Sequence, residues 1–194
     1  MAPILGIIAS GQIASNLTSF DSIATVTVGA GGATDITFSS IPSTYTHLQI
    51  RGIVRNSSTA SNYGNLQIQF NSDTGSNYAG HYLVGNGASA AAYAWTSDTT
   101  IESSFFTRDS AIANNFAGQI IDILDYKNTN KYKTVRILAG FDNNATGSTD
   151  YNKGILGLSS GLWQNTNAIT TIKLFAAANS FMQYSSFALY GIKA

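Results

Sequence analysis

Short runs of alternating hydrophobic and polar residues, separated by Gly, Ser, Asn and Thr, extend over most of the chain. The most prominent run follows a proline turn, where apolar Leu48, Ile50 and Val54 occupy alternate positions. Gln49 and Arg51 lie between them. This period of two is typical of a β-strand with one buried face. We therefore predict a central strand here, around which the other strands are arranged.

The same pattern recurs at near-regular spacing and predicts roughly ten to twelve short strands. The segment 66–70 alternates strictly, with Leu66, Ile68 and Phe70 on one face. No long stretch has helical periodicity, and the Ala-rich segment 88–94 is the one candidate for a short helix. The predicted fold class is all-β: an antiparallel β-sandwich, jelly-roll-like, with an extended N-terminal arm.

Two local patterns give more specific expectations. The glycine-rich run 29–32 has turn chemistry and predicts that strands 22–28 and 35–38 pair as a hairpin. A phosphate-binding loop is disfavoured there, because no helix start and no Lys followed by Ser or Thr comes next. The largely apolar run 155–163 predicts a buried strand that ends with Trp163 in the core.

Composition limits the functional classes. Only 10% of the residues are charged, whereas a typical domain has about 25%. Ten acidic and ten basic residues give a formal net charge of zero, which argues against binding to nucleic acid or to an anionic membrane. The sequence contains no Cys, so disulfides, thiol catalysis and thiolate metal sites are excluded. An uncharged polar surface suits proteins that are built into assemblies, because burying a charge costs free energy.

The first 20 residues are apolar and then small and polar, with Pro3 disfavouring a regular helix. A free apolar terminus frays, so we interpret residues 1–20 as an arm that docks on a neighbouring subunit or partner, ahead of one β-sandwich domain at 21–194. An ordinary first edge strand is an equally good interpretation. The apolar run is short and no Lys or Arg precedes it, so we expect neither a signal peptide nor a membrane span. The apolar residues of the proposed arm are Ile4, Leu5, Ile7 and Ile8.

Metal and cofactor sites have weak support. His47 and His81 belong to different predicted strands, and no carboxylate lies at helical ligand spacing from either. The loop after Phe141 has oxygen ligands suited to calcium but lacks the spacing of a helix–loop–helix calcium site, so a turn stabilised by Asn and Asp is the alternative. We predict no metal and no cofactor. The residues of this loop are Asp142, Asn143, Asn144 and Asp150.

Catalysis has no specific signature in the chain. Glu102, Asp122 and Asp125 are the carboxylates placed within predicted strands or at their ends, and a glycosidase needs two such groups flanking one bond. The Gly-x-Ser-x-Gly match at 157–161 lies within the predicted strand 155–163, so no Ser lies in such an elbow before a helix. We therefore predict that the protein is not an enzyme, and accessory hydrolysis is the least favoured function.

Aromatic side chains near polar loops are candidates for stacking on sugar rings. Most of the 10 Tyr, 10 Phe and 2 Trp are expected in the core, because aromatic residues dominate sandwich interiors. The candidates for an exposed platform are Tyr63, Tyr78, Tyr93 and Trp95.

Six segments of the chain resemble those of small, mostly uncharacterised virion proteins of tailed bacteriophages. They are residues 1–10, 22–29, 38–51, 70–78, 161–164 and 188–193. The resemblance spans nearly the whole chain. It implies a virion component with a β-sandwich body, displayed on the capsid or on the tail, and it carries no catalytic residues.

Within that resemblance, a capsid decoration or cement protein is favoured over a tail fibre, because the chain has no collagen-like or coiled-coil shaft and has its own candidate arm. The implied partners are other copies of the chain, as a trimer by analogy, and virion proteins such as the major capsid protein. The alternative is a tail fibre or tail-associated module that binds host surface glycans. The two functions place the protein on the capsid surface and on the tail, respectively.

Overall fold

The computed structural model describes residues 19–61, 63–144 and 153–193, which contain twelve β-strands. The strands are β1 (Phe20–Thr27), β2 (Asp35–Phe38), β3 (His47–Asn56), β4 (Tyr63–Phe70), β5 (Tyr78–Gly85), β6 (Ala90–Asp98), β7 (Ile101–Arg108), β8 (Ala117–Leu124), β9 (Lys133–Asp142), β10 (Gly154–Trp163), β11 (Ile172–Ala176) and β12 (Ser186–Ile192). The prediction of an all-β fold is confirmed.

The strands form two antiparallel sheets that pack on each other. Sheet A has the order β1, β12, β3, β8, β9, β10, β5, β6, and sheet B has the order β2, β11, β4, β7. The sheets join where the end of β3 runs parallel to β7, with Arg55 opposite Thr107 and Asn56 opposite Arg108. The fold is therefore a sandwich whose two layers share a seam.

Strand β3 occupies the central position that the sequence predicts. Leu48, Ile50 and Val54 are each 0% exposed. Within sheet A the strand pairs with β12 on one side and β8 on the other, and its end pairs with β7 of sheet B. The alternation of apolar residues thus indicates both the buried face and the strand that connects the layers.

Aromatic side chains fill one end of the core between the sheets. Trp163 is 1% exposed, as predicted, and its ring centroid lies 5.6 Å from that of Phe70 and 6.4 Å from that of Tyr78. The Trp163 indole N–H donates to Asp73 Oδ2 at 2.8 Å. The Trp163 ring is therefore buried and its polar atom is satisfied.

The predicted hairpin around the glycine-rich turn is wrong. Strand β1 pairs with β12 in sheet A, whereas β2 pairs with β11 in sheet B. The run 29–32 therefore carries the chain from one sheet to the other. Gly32 has φ +70° there, a conformation that glycine adopts at little cost.

Two other local predictions also need correction. The Ala-rich segment 88–94 is not a helix, because β6 pairs with β5 and places Ala91, Tyr93 and Trp95 on one face of the strand. Strand β10 is buried on one face rather than entirely, since Leu156 is 63% and Leu158 is 57% exposed. The outer side of sheet A is thus apolar where the sequence predicts core.

Candidate functional site

Sheet A presents an apolar outer face, which we call the apolar face. It consists of large side chains that are between 41% and 63% exposed. Exposed apolar area of this kind is typical of an interaction surface when the side chains are contiguous. The members are Ile53, Leu83, Ile120, Leu138, Leu156 and Leu158.

The strand register makes these side chains contiguous. Ile120 is opposite Leu138, Leu138 is opposite Leu158, and Leu158 is opposite Leu83. This row crosses four adjacent strands, and directly opposite side chains in a sheet are in contact distance. The apolar face is therefore one surface rather than scattered residues.

A second row contains a gap that forms a slot. In this row Ile53 is opposite Gly118, Gly118 is opposite Gly140, and Gly140 is opposite Leu156. The two glycines have no side chains, and a depression of about 560 Å³ lies over them, lined by residues that include Ile120 and Leu138. We call this depression the glycine slot.

The two glycines of the slot differ in the space around them. A Cβ on Gly140 would lie 2.8 Å from the carbonyl oxygen of Ile155, so glycine is required there by close packing. A Cβ on Gly118 would meet nothing within 4 Å. The protein's own packing therefore does not explain glycine at position 118.

A polar border lies beside the apolar rows on the same face. Gln49 Nε2 donates to Asp122 Oδ1 at 2.8 Å, and Arg136 forms an ion pair with Asp122 at 3.5 Å. Arg51 Nε donates to Gln49 Oε1 at 2.8 Å, and its guanidinium lies 5.4 Å from the ring centroid of Phe20. Asp122 and Arg136 are thus paired with each other, whereas Arg51 lies opposite Ile120 in the first apolar row and also lines the glycine slot.

Four aromatic side chains form a separate cleft, which we call the aromatic cleft. The ring centroid of Tyr82 lies 4.9 Å from that of Tyr93 and 5.6 Å from that of Phe105, and Tyr63 lies 6.4 Å from Phe105. The space between these rings has a volume of about 200 Å³ and is open to solvent. Asn65 also lines it; its Oδ1 atom is buried and has no partner in the described part of the chain.

The structure brings together three of the four predicted platform residues. Tyr63 and Tyr93 line the aromatic cleft, and Trp95 lies 5.9 Å from Tyr82 between ring centroids. A Cβ on Gly80 would overlap the Trp95 ring, so the indole fits there because residue 80 has no side chain. Tyr82 was not predicted as a platform residue, because its position between two polar-flanked turns is that of an ordinary strand residue.

Tyr78 does not belong to an exposed platform. It is 0% exposed, its hydroxyl accepts from the Phe70 backbone N–H at 3.1 Å, and it donates to the Asp73 carbonyl at 3.1 Å. Burial raises the pKa of Tyr78 to about 12. The prediction that this residue stacks on a sugar is therefore wrong, because the ring is part of the core.

The candidate catalytic carboxylates are held in different surroundings. Glu102 accepts from Asn65 Nδ2 at 3.2 Å on sheet B, and Asp122 belongs to the polar border of sheet A. Asp125 pairs with Lys131 at 2.7 Å, and the hydrogen bond from that ammonium group lowers the pKa of Asp125. None of these contacts places two carboxyl groups on opposite sides of a shared space.

The candidate metal ligands have structural partners. His47 Nδ1 accepts from the Asp125 backbone N–H at 2.9 Å, whereas His81 lies on the exposed side of β5. Asn143 Oδ1 accepts from the Ile112 N–H at 2.9 Å, and Asp142 Oδ1 accepts from the Asn144 N–H at 2.6 Å. Within residues 19–61, 63–144 and 153–193, no three His, Asp or Glu side chains are grouped as a metal site. Asp150 lies outside the described residues.

Two buried cations hold loops in place, and no pattern in the sequence predicts either of them. Arg55 is 4% exposed, and its guanidinium donates to the carbonyls of Ile112, Asn115 and Ala111 at 2.8, 2.9 and 3.1 Å. Lys133 is 0% exposed and donates to three other carbonyls. Desolvation lowers the pKa of Lys133. Arg55 also forms an ion pair with Asp109 at 3.3 Å. Because both cations are held by loop carbonyls, we assign them a structural role.

The proposed arm residues Ile4, Leu5, Ile7 and Ile8 lie outside the described residues. The described chain begins next to β1, whose first residue, Phe20, is 44% exposed on the border of the apolar face. In the described residues there is no helix with the length and apolar character to span a membrane.

Comparisons with known proteins do not assign the chain to a family. No protein-family model matches it, and no curated protein matches it. Among solved structures, the crystal structure of the infectious bursal disease virus VP2 subviral particle is 14% identical to it, with a TM-score of 0.10. That comparison covers 91% of this chain and 40% of the VP2 chain. A similarity at this TM-score carries no argument about fold or function.

Proposed function

We propose that this protein is a non-enzymatic structural component of a tailed-phage virion that decorates and stabilises the capsid. The observation that carries the proposal is the apolar face. A lone soluble domain would expose these leucines and isoleucines to water, whereas a component of an assembly would bury them. Burial of apolar area contributes roughly 25 cal/mol per Å².

The composition supports the same function. A protein with 10% charged residues and no formal net charge has few groups whose desolvation would oppose packing against neighbours. The proposed partners are other copies of this chain, with a trimer as the favoured oligomer, and the major capsid protein. Many weak contacts in one shell would add through avidity.

Immunogold labelling of purified particles of the phage that encodes the chain tests this proposal, with copy number from quantitative mass spectrometry. We expect label over the whole head at hundreds of copies, as an order of magnitude for a multivalent shell. Label confined to the tail at a few copies would contradict decoration. Absence from the particles would contradict the virion function altogether.

The aromatic cleft favours a second candidate, a tail-associated module that binds host surface glycans. Tyr93 is 48% exposed at the cleft, and the unpartnered Asn65 Oδ1 could accept from a sugar hydroxyl. An aromatic face and an amide acceptor at one cleft is a combination that suits a sugar ring.

Retention on a panel of immobilised bacterial surface polysaccharides tests this second candidate. We expect Tyr93→Ala to weaken retention several-fold, in line with ~0.5–1.5 kcal/mol for one aromatic contact. Tyr132→Ala is the matched control, because Tyr132 is 53% exposed and does not line the cleft. No retention by the unmodified protein, or equal loss in both variants, would contradict glycan binding at the cleft.

A further inference from the structure

We propose that the glycine slot binds the apolar N-terminal segment of a second copy of this chain, with residues 4–8 as the docking element. This inference rests on the proposed assembly function and names the contact that would link the copies. The slot is the concave part of the apolar face, and residues 4–8 are an apolar run at the start of the same sequence.

The shape and chemistry of the slot fit an aliphatic side chain. Ile53 and Leu156 lie at its two ends, and Ile120 and Leu138 belong to the adjacent row on one side. The floor is formed by two opposed glycines, so a knob from another chain can approach the backbone of β8 and β9. An Ile or Leu inserted there would contact Leu156 at one end and Ile120 and Leu138 along one side, and Arg51 also lines the slot. Each fully buried side chain of this size contributes about 1.5–3 kcal/mol.

The direction of β1 favours a second copy over the same molecule as the donor. Thr27, at the end of β1, is in register through Ser186 and Ile53 with Gly118 of the slot. Phe20 lies at the opposite end of β1, roughly 23 Å away at about 3.3 Å per residue. Phe20, where β1 begins, is thus at the end of the strand farther from the slot, and a segment of the same molecule would have to reverse direction to reach it. A neighbouring copy can receive the segment without that reversal.

The chain between residues 4–8 and β1 is long enough for these residues to reach a neighbouring copy. Phe20 follows Ile8 by twelve positions, a distance of at most about 40 Å when the chain is fully extended. This exceeds the length of one strand of the sheet, so the docking residues of one copy can reach the apolar face of its neighbour.

Gly118 provides a specific way to close the slot. A Cβ there meets nothing within 4 Å, and its φ is outside the left-handed region. Gly118→Val therefore fits the protein's own packing and suits a β-strand better than glycine does. The valine would occupy the space that the incoming side chain needs. Gly31→Val is the matched control, because a Cβ on Gly31 also meets nothing within 4 Å and this residue, in the turn after β1, does not line the slot.

The test measures the molar mass of the full-length chain by light scattering after size exclusion, at a fixed concentration. We expect the unmodified protein and Gly31→Val to be oligomeric, and Gly118→Val and Ile7→Asp to be monomeric with unchanged thermal midpoints. A monomeric unmodified protein, or an oligomer that persists in Gly118→Val, would overturn the proposal.

A photo-crosslinker in place of Ile7 distinguishes the source of the segment. With p-benzoylphenylalanine at this position, we expect covalent dimers that map to peptides containing Leu156 or Ile53, and loss of these dimers in the Gly118→Val background. A purely intramolecular product would overturn docking on a second copy. Both measurements use the isolated protein, so their failure is distinguishable from absence of the protein on virions.

Discussion

Lys133 shows how a charged side chain stabilises a protein that has few charged residues. Its ammonium group is fully buried and donates to the carbonyls of Asn128, Lys131 and Thr166 at 2.6, 2.8 and 3.0 Å. The turn after β8 and the segment after β10 are thereby tied to one atom. The cation substitutes for water that these carbonyls would otherwise bind.

Lys133→Met should lower the free energy of unfolding by about 1–3 kcal/mol, because it leaves buried acceptors without a donor. Lys127→Met is the control, since Lys127 is exposed in the same turn and should change the free energy by less than about 0.5 kcal/mol. Urea denaturation at pH 7 measures both values. Equal effects of the two substitutions would show that the three carbonyl contacts are not important for stability.

The shifted pKa of Asp73 predicts that the stability of the fold depends on pH in the acid range. Burial alone raises the pKa of Asp73, but hydrogen bonds from Trp163, Gly75 and Asn77 outweigh it, so the pKa lies below the ordinary value. The folded state therefore binds this proton less readily than the unfolded state does. The stabilisation is present above the unfolded pKa of about 3.9 and is lost as the pH falls through the lower folded pKa.

Asp73→Asn should therefore be less stable than the unmodified protein at pH 7, by about 1 kcal/mol. The difference should shrink as the pH falls below about 3.9, because the unmodified protein loses the contribution of the charged carboxylate. Denaturation curves at several pH values measure this. A difference that stays constant with pH would exclude a contribution from the charge.

At the level of elements, the two faces of β10 differ in exposure: one lies in the core and the other faces outward. Ile155 and Trp163 are 4% and 1% exposed on the inner side, whereas Leu156 and Leu158 point outward. The two sets of residues are equally hydrophobic. Their roles differ because sheet B covers the inner side of sheet A and leaves the outer side uncovered.

The double substitution Leu156→Ser, Leu158→Ser should leave the unfolding free energy of the monomer within about 0.5 kcal/mol of the original value. Leu174→Ala should reduce it by about 2–5 kcal/mol, because Leu174 is 0% exposed in the core. Chemical denaturation at a concentration low enough to prevent association compares them. A large loss from the outer substitutions would mean that these leucines stabilise the fold of the single chain.

The same strand shows what the sequence can and cannot predict. The alternation around Leu48 and Ile50 identifies the central strand correctly, because one polar face and one apolar face leave a period of two. The run that contains Leu156 and Leu158 does not alternate with polar residues in this way. The sequence therefore does not distinguish an exposed apolar side chain from one in the core. The candidate slot was invisible for a further reason: Gly118 and Gly140 become neighbours only through pairing of β8 with β9.

At the level of the whole molecule, the two sheets are joined by the short parallel contact of β3 with β7. Arg55 lies at this seam, and its guanidinium also holds the loop that follows β7. The residues around the glycine-rich run predict a turn, but turn chemistry does not say to which sheet the next strand belongs. Long-range pairing decides this, which is why the hairpin prediction failed while the fold class was correct.

The apolar face has one further consequence, which concerns temperature. Contacts made by aliphatic side chains weaken on cooling, because their driving force near room temperature is largely entropic. Assemblies held through the aliphatic side chains of this face should therefore loosen in the cold and tighten on moderate warming. Sedimentation at about 4 °C and 25 °C would reveal the trend. Chilled storage is then the condition under which such a shell would shed its subunits first.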